Sequence, residues 1–336
     1  MAPTGKGQNR EIWLDVAKGL GIIGVVVGHT DLQVVKYIYW FHMPLFFALS
    51  GYLFKPVENA SEIVSWIAKR ARQLLIPYIS FVVLLLIARS IQHPPRDIHR
   101  FLSDLAGIAA GGRLIPGEYV GLYAPIWFIT CLFFTQTLFM LITFRFKSNA
   151  ARMFVVLVAY VLAHIESGLI AHHRIWIPWN ADVTLMALSY YGFGFFGRPI
   201  LSGKYRPGAT VMLSALASLV FLFLDLSGKL DYQLDLKYVG YRHLILDLAI
   251  PLAWVIAVTM ISRWVSQTPV ASGLAFLGAA SLPIMYMHMY ANQLVSHYID
   301  YGPAVFTLIG LVVPLGIWSV LLQRFSITRR YLLGIK

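Results

Sequence analysis

Apolar runs long enough to cross a lipid bilayer recur along the whole chain, and this limits the possible folds more than any other feature. A spanning helix needs about 20 mostly apolar residues. About ten such segments are legible, near 12–30, 37–54, 74–91, 125–144, 152–171, 179–197, 208–225, 243–262, 275–297 and 303–323. The runs are continuous and do not alternate with period two, which argues against a membrane β-barrel. Only 12% of the 336 residues are charged and 58% are hydrophobic. A soluble domain carries roughly a quarter charged residues, so this chain lacks the polar surface of a water-soluble globule. The expectation is an all-α integral membrane protein, with about ten transmembrane helices packed as one domain over residues 1–336. Asp15 and Lys18 interrupt the first segment and no small-residue cleavage site follows it, unlike a cleaved signal peptide. The lone cysteine, Cys131, excludes an intrachain disulfide and makes a thiolate metal site untenable.

The net charge is +12. In a soluble protein that surplus would suggest nucleic acid; here loop charges that set orientation account for it, and no nucleic-acid partner is expected. Ten spans put both termini on one side. With a cytoplasmic N-terminus, the inner segments carry Lys55, Lys69, Arg70, Arg72, Arg145, Lys147, Arg152, Arg198, Lys204, Arg206, Arg324, Arg329 and Arg330, among others. The outer segments carry Lys36, Arg89, Arg96, Arg100, Arg113, Arg174, Lys229, Lys237 and Arg242. The larger inner set favours an N-in, C-in topology. Two outer loops are long, near 92–124 and 226–242, and the first has room for an interfacial helix around 97–110.

Polar groups inside lipid are costly, so chemistry is sought there. On a helix at 100° per residue, Asp15, Lys18 and His29 share one face. His29 lies roughly 16 Å beyond Lys18, at about 1.5 Å per residue. Gly21, Gly24 and Gly28 keep this helix slim. His42 enters the second segment from the outer side, so it lies at a depth similar to His29 and can serve as base or partner. Two imidazoles without a neighbouring carboxylate make a poor zinc site, and no metal is expected. Tyr37, Tyr39 and Trp40 read as an interfacial aromatic belt. Lys69, Arg70 and Arg72 stand at the inner face, where they enforce topology, touch anionic lipid or grip a phosphorylated ligand. Further polar candidates are Trp127, Glu166, Trp176, Trp179, Asp182 and Asp247, with Ser281, His288 and Asn292 forming one stripe on the ninth segment. No P-loop, GxGxxG, GxSxG or HExxH motif is present.

The segments "LDVAKGLGIIGVVVGHT" and "FHMPLFFALSGYLF" resemble the membrane acyltransferase-3 family, and most closely its fucose 4-O-acetylase-like branch. The family's Asp-x-x-Lys/Arg-Gly…His pattern falls on Asp15, Lys18, Gly19 and His29; the wider family usually has Arg where Lys18 stands. Its basic motif before Leu-x-x-Pro-Tyr falls on Lys69 to Arg72 and Leu74 to Tyr78, with Gln at position 73. "PIWFITCLFF", "IPWNADVTLMAL" and "SLPIMYMHMY" are softer matches, and together the resemblance covers about the whole chain.

The resemblance implies a ten-helix enzyme of a bacterial inner membrane that moves an acyl group, usually acetyl from acetyl-CoA, to a carbohydrate hydroxyl. It implies His29 as general base or acyl carrier, with His42 and Asp15 completing the catalytic set. Lys18, Lys69, Arg70 and Arg72 would hold the acetyl-CoA donor. Trp127, Glu166, Trp179, Asp182 and His288 would bind the glycan or lipid-linked sugar or orient His29. His29 lies nearer the outer face while the donor arrives from the inner one. The thioester must therefore thread along the bundle, or the acyl group must pass through a covalent intermediate. A polytopic transporter or flippase of a glycan precursor is the competing class.

Overall fold

The computed structural model describes residues 11–92, 98–109, 124–173 and 177–335. The chain runs through α1 (Ile12–Val27), α2 (Val35–Tyr39), α3 (His42–Tyr52), α4 (Ala60–Gln92), α5 (Ile98–Ala109), α6 (Trp127–Arg145), α7 (Asn149–His173) and α8 (Val183–Phe196). It continues through α9 (Arg198–Leu201), α10 (Pro207–Leu226), α11 (Leu246–Val265), α12 (Ala271–Ala279), α13 (Ser281–Ser296), α14 (Pro303–Ile317) and α15 (Ser326–Tyr331). Among the described residues there is one isolated bridge, Asp235 to Gly240, and no named strand. The protein is an all-α membrane protein.

Each of the ten apolar segments holds a helix, but fewer than ten of these helices are long and apolar enough by themselves to span. Six helices among the described residues are long and apolar enough to cross a bilayer: α4, α6, α7, α10, α11, and α14 with the π-helical turn after it. The ninth segment is broken. α12 and α13 meet at 78°, just before Pro283, which has no N–H to bond back across the junction. α1, α3 and α8 have 16, 11 and 14 residues, short of the roughly 20 a span needs. Many of their apolar residues pack against protein: Val16, Val26, Leu45, Phe47, Met186 and Leu188 are all buried. Hydrophobic length alone did not separate these central helices from lipid-facing ones.

α1 is the hub of the bundle, touching α12, α11, α3, α13 and α14. Two glycines make its contact with α12 possible. A Cβ on Gly278 would overlap the Asp15 carbonyl oxygen, and one on Gly19 would overlap that of Leu274. α3 and α8 meet in the same manner, at Gly51 against Tyr191 and Gly194 against Ala48. Lipid tails are as apolar as leucine, so close backbone packing does much of the work of association that water does in soluble folds.

A helix is present where one was expected around 97–110, as α5. The expected aromatic belt is not a belt. Trp40 is wholly buried and donates through Nε1 to the Tyr232 carbonyl at 3.1 Å, and Tyr37 donates to Asp225 at 3.0 Å. These rings join the α2 region to the 226–242 segment, helped by Lys36 on Asp225 at 2.8 Å. That segment is part of the core: Tyr232, Leu234, Leu236, Val239 and Tyr241 are buried.

The glycine crossing sets a clear expectation for mutants. Gly278→Val should destabilise the protein by about 2 kcal/mol or more through overpacking, read as a lower unfolding temperature in detergent. Gly273→Ala, on the same helix with nothing within 4 Å of the new Cβ, should be neutral or gain up to about 1 kcal/mol. Equal tolerance of both substitutions would contradict this packing.

Candidate active site

A cavity of about 1430 Å³ runs along one face of α1. Ile12, Asp15, Lys18, Ile22, Val25 and His29 line it, and their three- and four-residue spacing is that of a single helix face. From Ile12 to His29 that face measures about 25 Å at about 1.5 Å per residue. The opposite wall includes His42, Met43, Phe46 and Ser50 near α3, Trp127 and Phe128 of α6, and the Asp235–Tyr238 turn. α12 and the C-terminal Leu333 and Ile335 complete the Asp15 end.

At that end Lys18 Nζ donates to Asp15 Oδ1 at 3.1 Å. The carboxylate is nearly buried and the ammonium half-buried, with side-chain exposures of 7% and 30%. Placing an acid and a base three residues apart on one helix face keeps both charges in contact where solvent is scarce.

The other end is built from histidines. His29 sits just past the last turn of α1, where Gly28 and His29 continue the backbone bonding to Gly24 and Val26. Its Nδ1 lies 2.8 Å from the Val25 carbonyl. His42 repeats the arrangement on Ile38 at 2.8 Å, and His288 on Ile284 at 2.9 Å. A carbonyl oxygen only accepts, so each Nδ1 carries a proton and each neutral ring keeps a lone pair on Nε2. That is the tautomer a base or nucleophile needs. The His288 ring meets the His29 ring edge-on at 4.9 Å. Tyr39 packs on His42 at 5.0 Å and donates to the Gly28 carbonyl at 3.2 Å, joining the two histidine-bearing segments. Gly24 lets them approach: a Cβ there would stand 3.5 Å from that of His42.

The sequence-derived candidates separate into groups. His29, His42 and Trp127 face one cavity, with Asp15 and Lys18 on the same wall. Asp15 does not reach His29, because α1 holds them at opposite ends; its partner is Lys18. His288 does not line the cavity but backs the His29 ring from a fully buried position, and its Nε2 has no hydrogen-bond partner among the described residues. Lys69, Arg70 and Arg72 lie on α4 outside the cavity, within about one and a half turns before the cavity-lining Leu74. Lys69 and Arg72 are exposed, and Arg70 stacks over Trp66 at 5.3 Å and bonds Gln73 at 3.1 Å.

Glu166, Trp179 and Asp182 are not brought to the cavity. Asp182 is a buried cap of α8, accepting from the Val183 amide at 2.9 Å. Trp179 holds a left-handed backbone (φ 61°) in a short turn and leans on Phe134 at 5.9 Å. Glu166 is half-buried on α7 beside Ser167, which bonds the Val239 and Tyr241 carbonyls. Asp247 belongs to another buried cluster, with His164 Nε2 at 3.1 Å. Trp176 lies outside the described residues. Two cavity residues escaped the sequence reading. Tyr39 was hidden in an aromatic-rich stretch and Lys237 among the loop charges, and no spacing signal marks either.

The site is a cavity in a helical membrane bundle, leading from a charged pair to imidazoles that keep a lone pair. The family model described as an acyltransferase domain matches residues 11–323, and the chain belongs to that family. It is 34% identical over 146 residues to nodulation protein NolL of Sinorhizobium fredii, covering 39% of this chain and 37% of that one. It is 31% identical over 150 residues to nodulation protein NolL of Mesorhizobium japonicum, covering 40% and 37%. The matched region thus spans little more than a third of these relatives. No solved structure matches the chain.

The Asp15–Lys18 contact is testable by a double-mutant cycle. Lys18→Met removes the ammonium from the nearly buried carboxylate and should cost about 1–3 kcal/mol. Asp15→Asn combined with Lys18→Met should recover part of that, with a coupling energy of about 0.5–3 kcal/mol in detergent unfolding. Additive single-mutant effects would refute the pairing.

Proposed function

We propose that this protein is an O-acetyltransferase of a bacterial inner membrane, with both termini cytoplasmic and one domain spanning the chain. It moves acetyl from cytoplasmic acetyl-CoA to a sugar hydroxyl of an exported or lipid-linked glycan. The observation that carries this reading is the continuous cavity along α1, with Asp15 and Lys18 at one end and His29 and His42 at the other. A donor threading from one face would meet an acceptor entering from the other without a change of fold. Family membership supports acyl transfer; acetyl as the group and a sugar as the acceptor are our own assignment.

In this scheme the cytoplasmic Lys69, Arg70 and Arg72 receive the phosphates of the donor, with guanidinium forks suited to phosphate oxygens. Lys18 guides the arm that enters the cavity. The thioester carbonyl comes to rest near His29. His29 Nε2 takes the proton of the sugar hydroxyl as the oxygen attacks the carbonyl carbon, and the Val25 carbonyl stabilises the resulting imidazolium through Nδ1–H. Collapse breaks the carbon–sulfur bond, and the imidazolium returns its proton to the thiolate. His42 holds the acceptor hydroxyl, Trp127 offers an aromatic face to the sugar, and His288 keeps the His29 ring in place from behind.

His29→Ala should lower acetyl transfer by about 10²–10⁴-fold, the range of a lost general base. It should leave the elution profile and unfolding temperature unchanged. The measurement uses purified protein, radiolabelled acetyl-CoA and an extract of surface glycans or their lipid-linked precursors. Full transfer by a well-folded His29→Ala variant would overturn the assignment. Glycan movement across vesicles with no acetylated product would favour the transporter class.

A further inference from the structure

Residues 332–335, which follow α15, form a wall of the cavity far from the histidines. Leu333 and Ile335 line it at the Asp15 end, as do Ile12, Leu53, Leu74 and Phe276. Between them stands Gly334 with φ 64°, a left-handed conformation that glycine adopts at little cost. A Cβ at Gly334 would stand 2.7 Å from the Gln73 carbonyl oxygen of α4 and 2.9 Å from the Gln73 Cα. Dihedral and contact both call for glycine here. The turn is also tied back to α15. The Leu332 and Leu333 amides donate to the Thr328 carbonyl at 2.8 and 3.2 Å, and the Ile335 amide donates to that of Arg329 at 3.0 Å. Leu332 is buried in the same core cluster as Trp318 and Leu322. Leu333 and Ile335 therefore reach the cavity from a backbone seated on two helices.

Gln73, whose backbone seats Gly334, also accepts from Arg70 through Oε1 at 3.1 Å. One residue thus joins two surfaces of different chemistry. Outside the cavity stand Lys69, Arg70 and Arg72. Inside its mouth lie the apolar side chains of Ile12, Leu53, Leu74, Phe276, Leu333 and Ile335. A cationic lip beside an apolar throat matches a ligand with a polyanionic head and a long uncharged arm. An acyl thioester of coenzyme A has that form. Its phosphates suit the lip. Its arm, with alkyl groups between two amides, loses water-exposed apolar surface in the throat.

We propose that residues 332–335 are a donor-binding strap: Leu333 and Ile335 contact the uncharged arm of the thioester donor at the cavity mouth, and Gly334 holds them there against α4. The inference rests on the acyl-transfer reading above, with the donor entering at the Asp15 end, and adds the residues that grip its arm. The strap lies at the opposite end of the α1 face from His29 and touches no reacting atom. Contacts of this kind are made equally in the ground state and the transition state. They set the affinity for the donor and leave the chemical barrier largely alone.

The test measures binding of two probes to the purified chain in detergent. One is coenzyme A; the other is adenosine 3′,5′-bisphosphate, which keeps phosphates of the head and lacks the arm. Gly334→Ala displaces the strap, while Leu333→Ser and Ile335→Ser keep its backbone and remove apolar surface. Each variant should weaken coenzyme A by about fivefold to tenfold, the effect of losing part of one or two aliphatic contacts. The bisphosphate should keep its affinity. Acetyl transfer should show the same split, with KM for acetyl-CoA rising by more than kcat falls. If Gly334→Ala lowers the unfolding temperature, the two serine variants decide. Unchanged coenzyme A affinity in those variants would overturn the proposal. So would equal weakening of both probes, which locates the effect at the basic lip, or a loss confined to kcat. If the unaltered protein binds coenzyme A and the variants bind it equally well, only the role of the strap fails. If the unaltered protein binds neither probe, the donor reading beneath it fails first.

Discussion

The close crossing of α1 and α12 is the contact on which the rest of the structure depends. Backbone meets backbone there, with Gly278 against the Asp15 carbonyl and Gly19 against that of Leu274. No side chain could be inserted at either point. With Gly19 committed to α12, α1 turns its polar face toward the cavity. The same rotation that packs Gly19 directs Asp15, Lys18 and His29 along a single wall. In lipid, where apolar burial between helices contributes little, close fit of small residues supplies much of the association energy. A polar face is then tolerated because the cavity, not lipid, receives it.

A second constraint shapes the histidine end. Three imidazoles use the same local device, an Nδ1–H bond to the carbonyl four residues earlier. Each ring is pinned by its own backbone, so its orientation does not depend on a distant partner. The rings are then gathered by tertiary contacts: His288 against His29, and Tyr39 between His42 and Gly28. The 226–242 segment closes this end, anchored by Asp225, Trp40 and Ser167 to three parts of the bundle. What a loop-charge count treats as an orientation signal becomes part of the cavity wall at Lys237.

Several features were legible in the residue order for definite physical reasons. The apolar runs locate helices because lipid leaves the backbone no other partner than itself. Helical periodicity puts Asp15, Lys18 and His29 on one face, and the cavity follows that face. Other features were misread for equally definite reasons. Tyr37, Tyr39 and Trp40 carry the composition of an interfacial belt, yet their polar atoms bond protein groups inside the fold. Asp182 has the chemistry of a ligand-binding acid but caps α8.

The sequence alone determined an all-helical membrane chain and the shared face of its first helix that carries the charged pair and His29. These follow from hydrophobic length and from 3.6 residues per turn, both properties of neighbouring residues. Only the tertiary structure decided which apolar helices lie inside the bundle, where the ninth segment breaks and which distant residues meet His29. His288 meets that ring from elsewhere in the chain, and Lys237 joins the cavity wall. Their placement depends on the packing of α12 and α13 against α1 and on a turn held by α7. No local pattern encodes contacts of that kind, because they are properties of surfaces that exist only once the helices have packed.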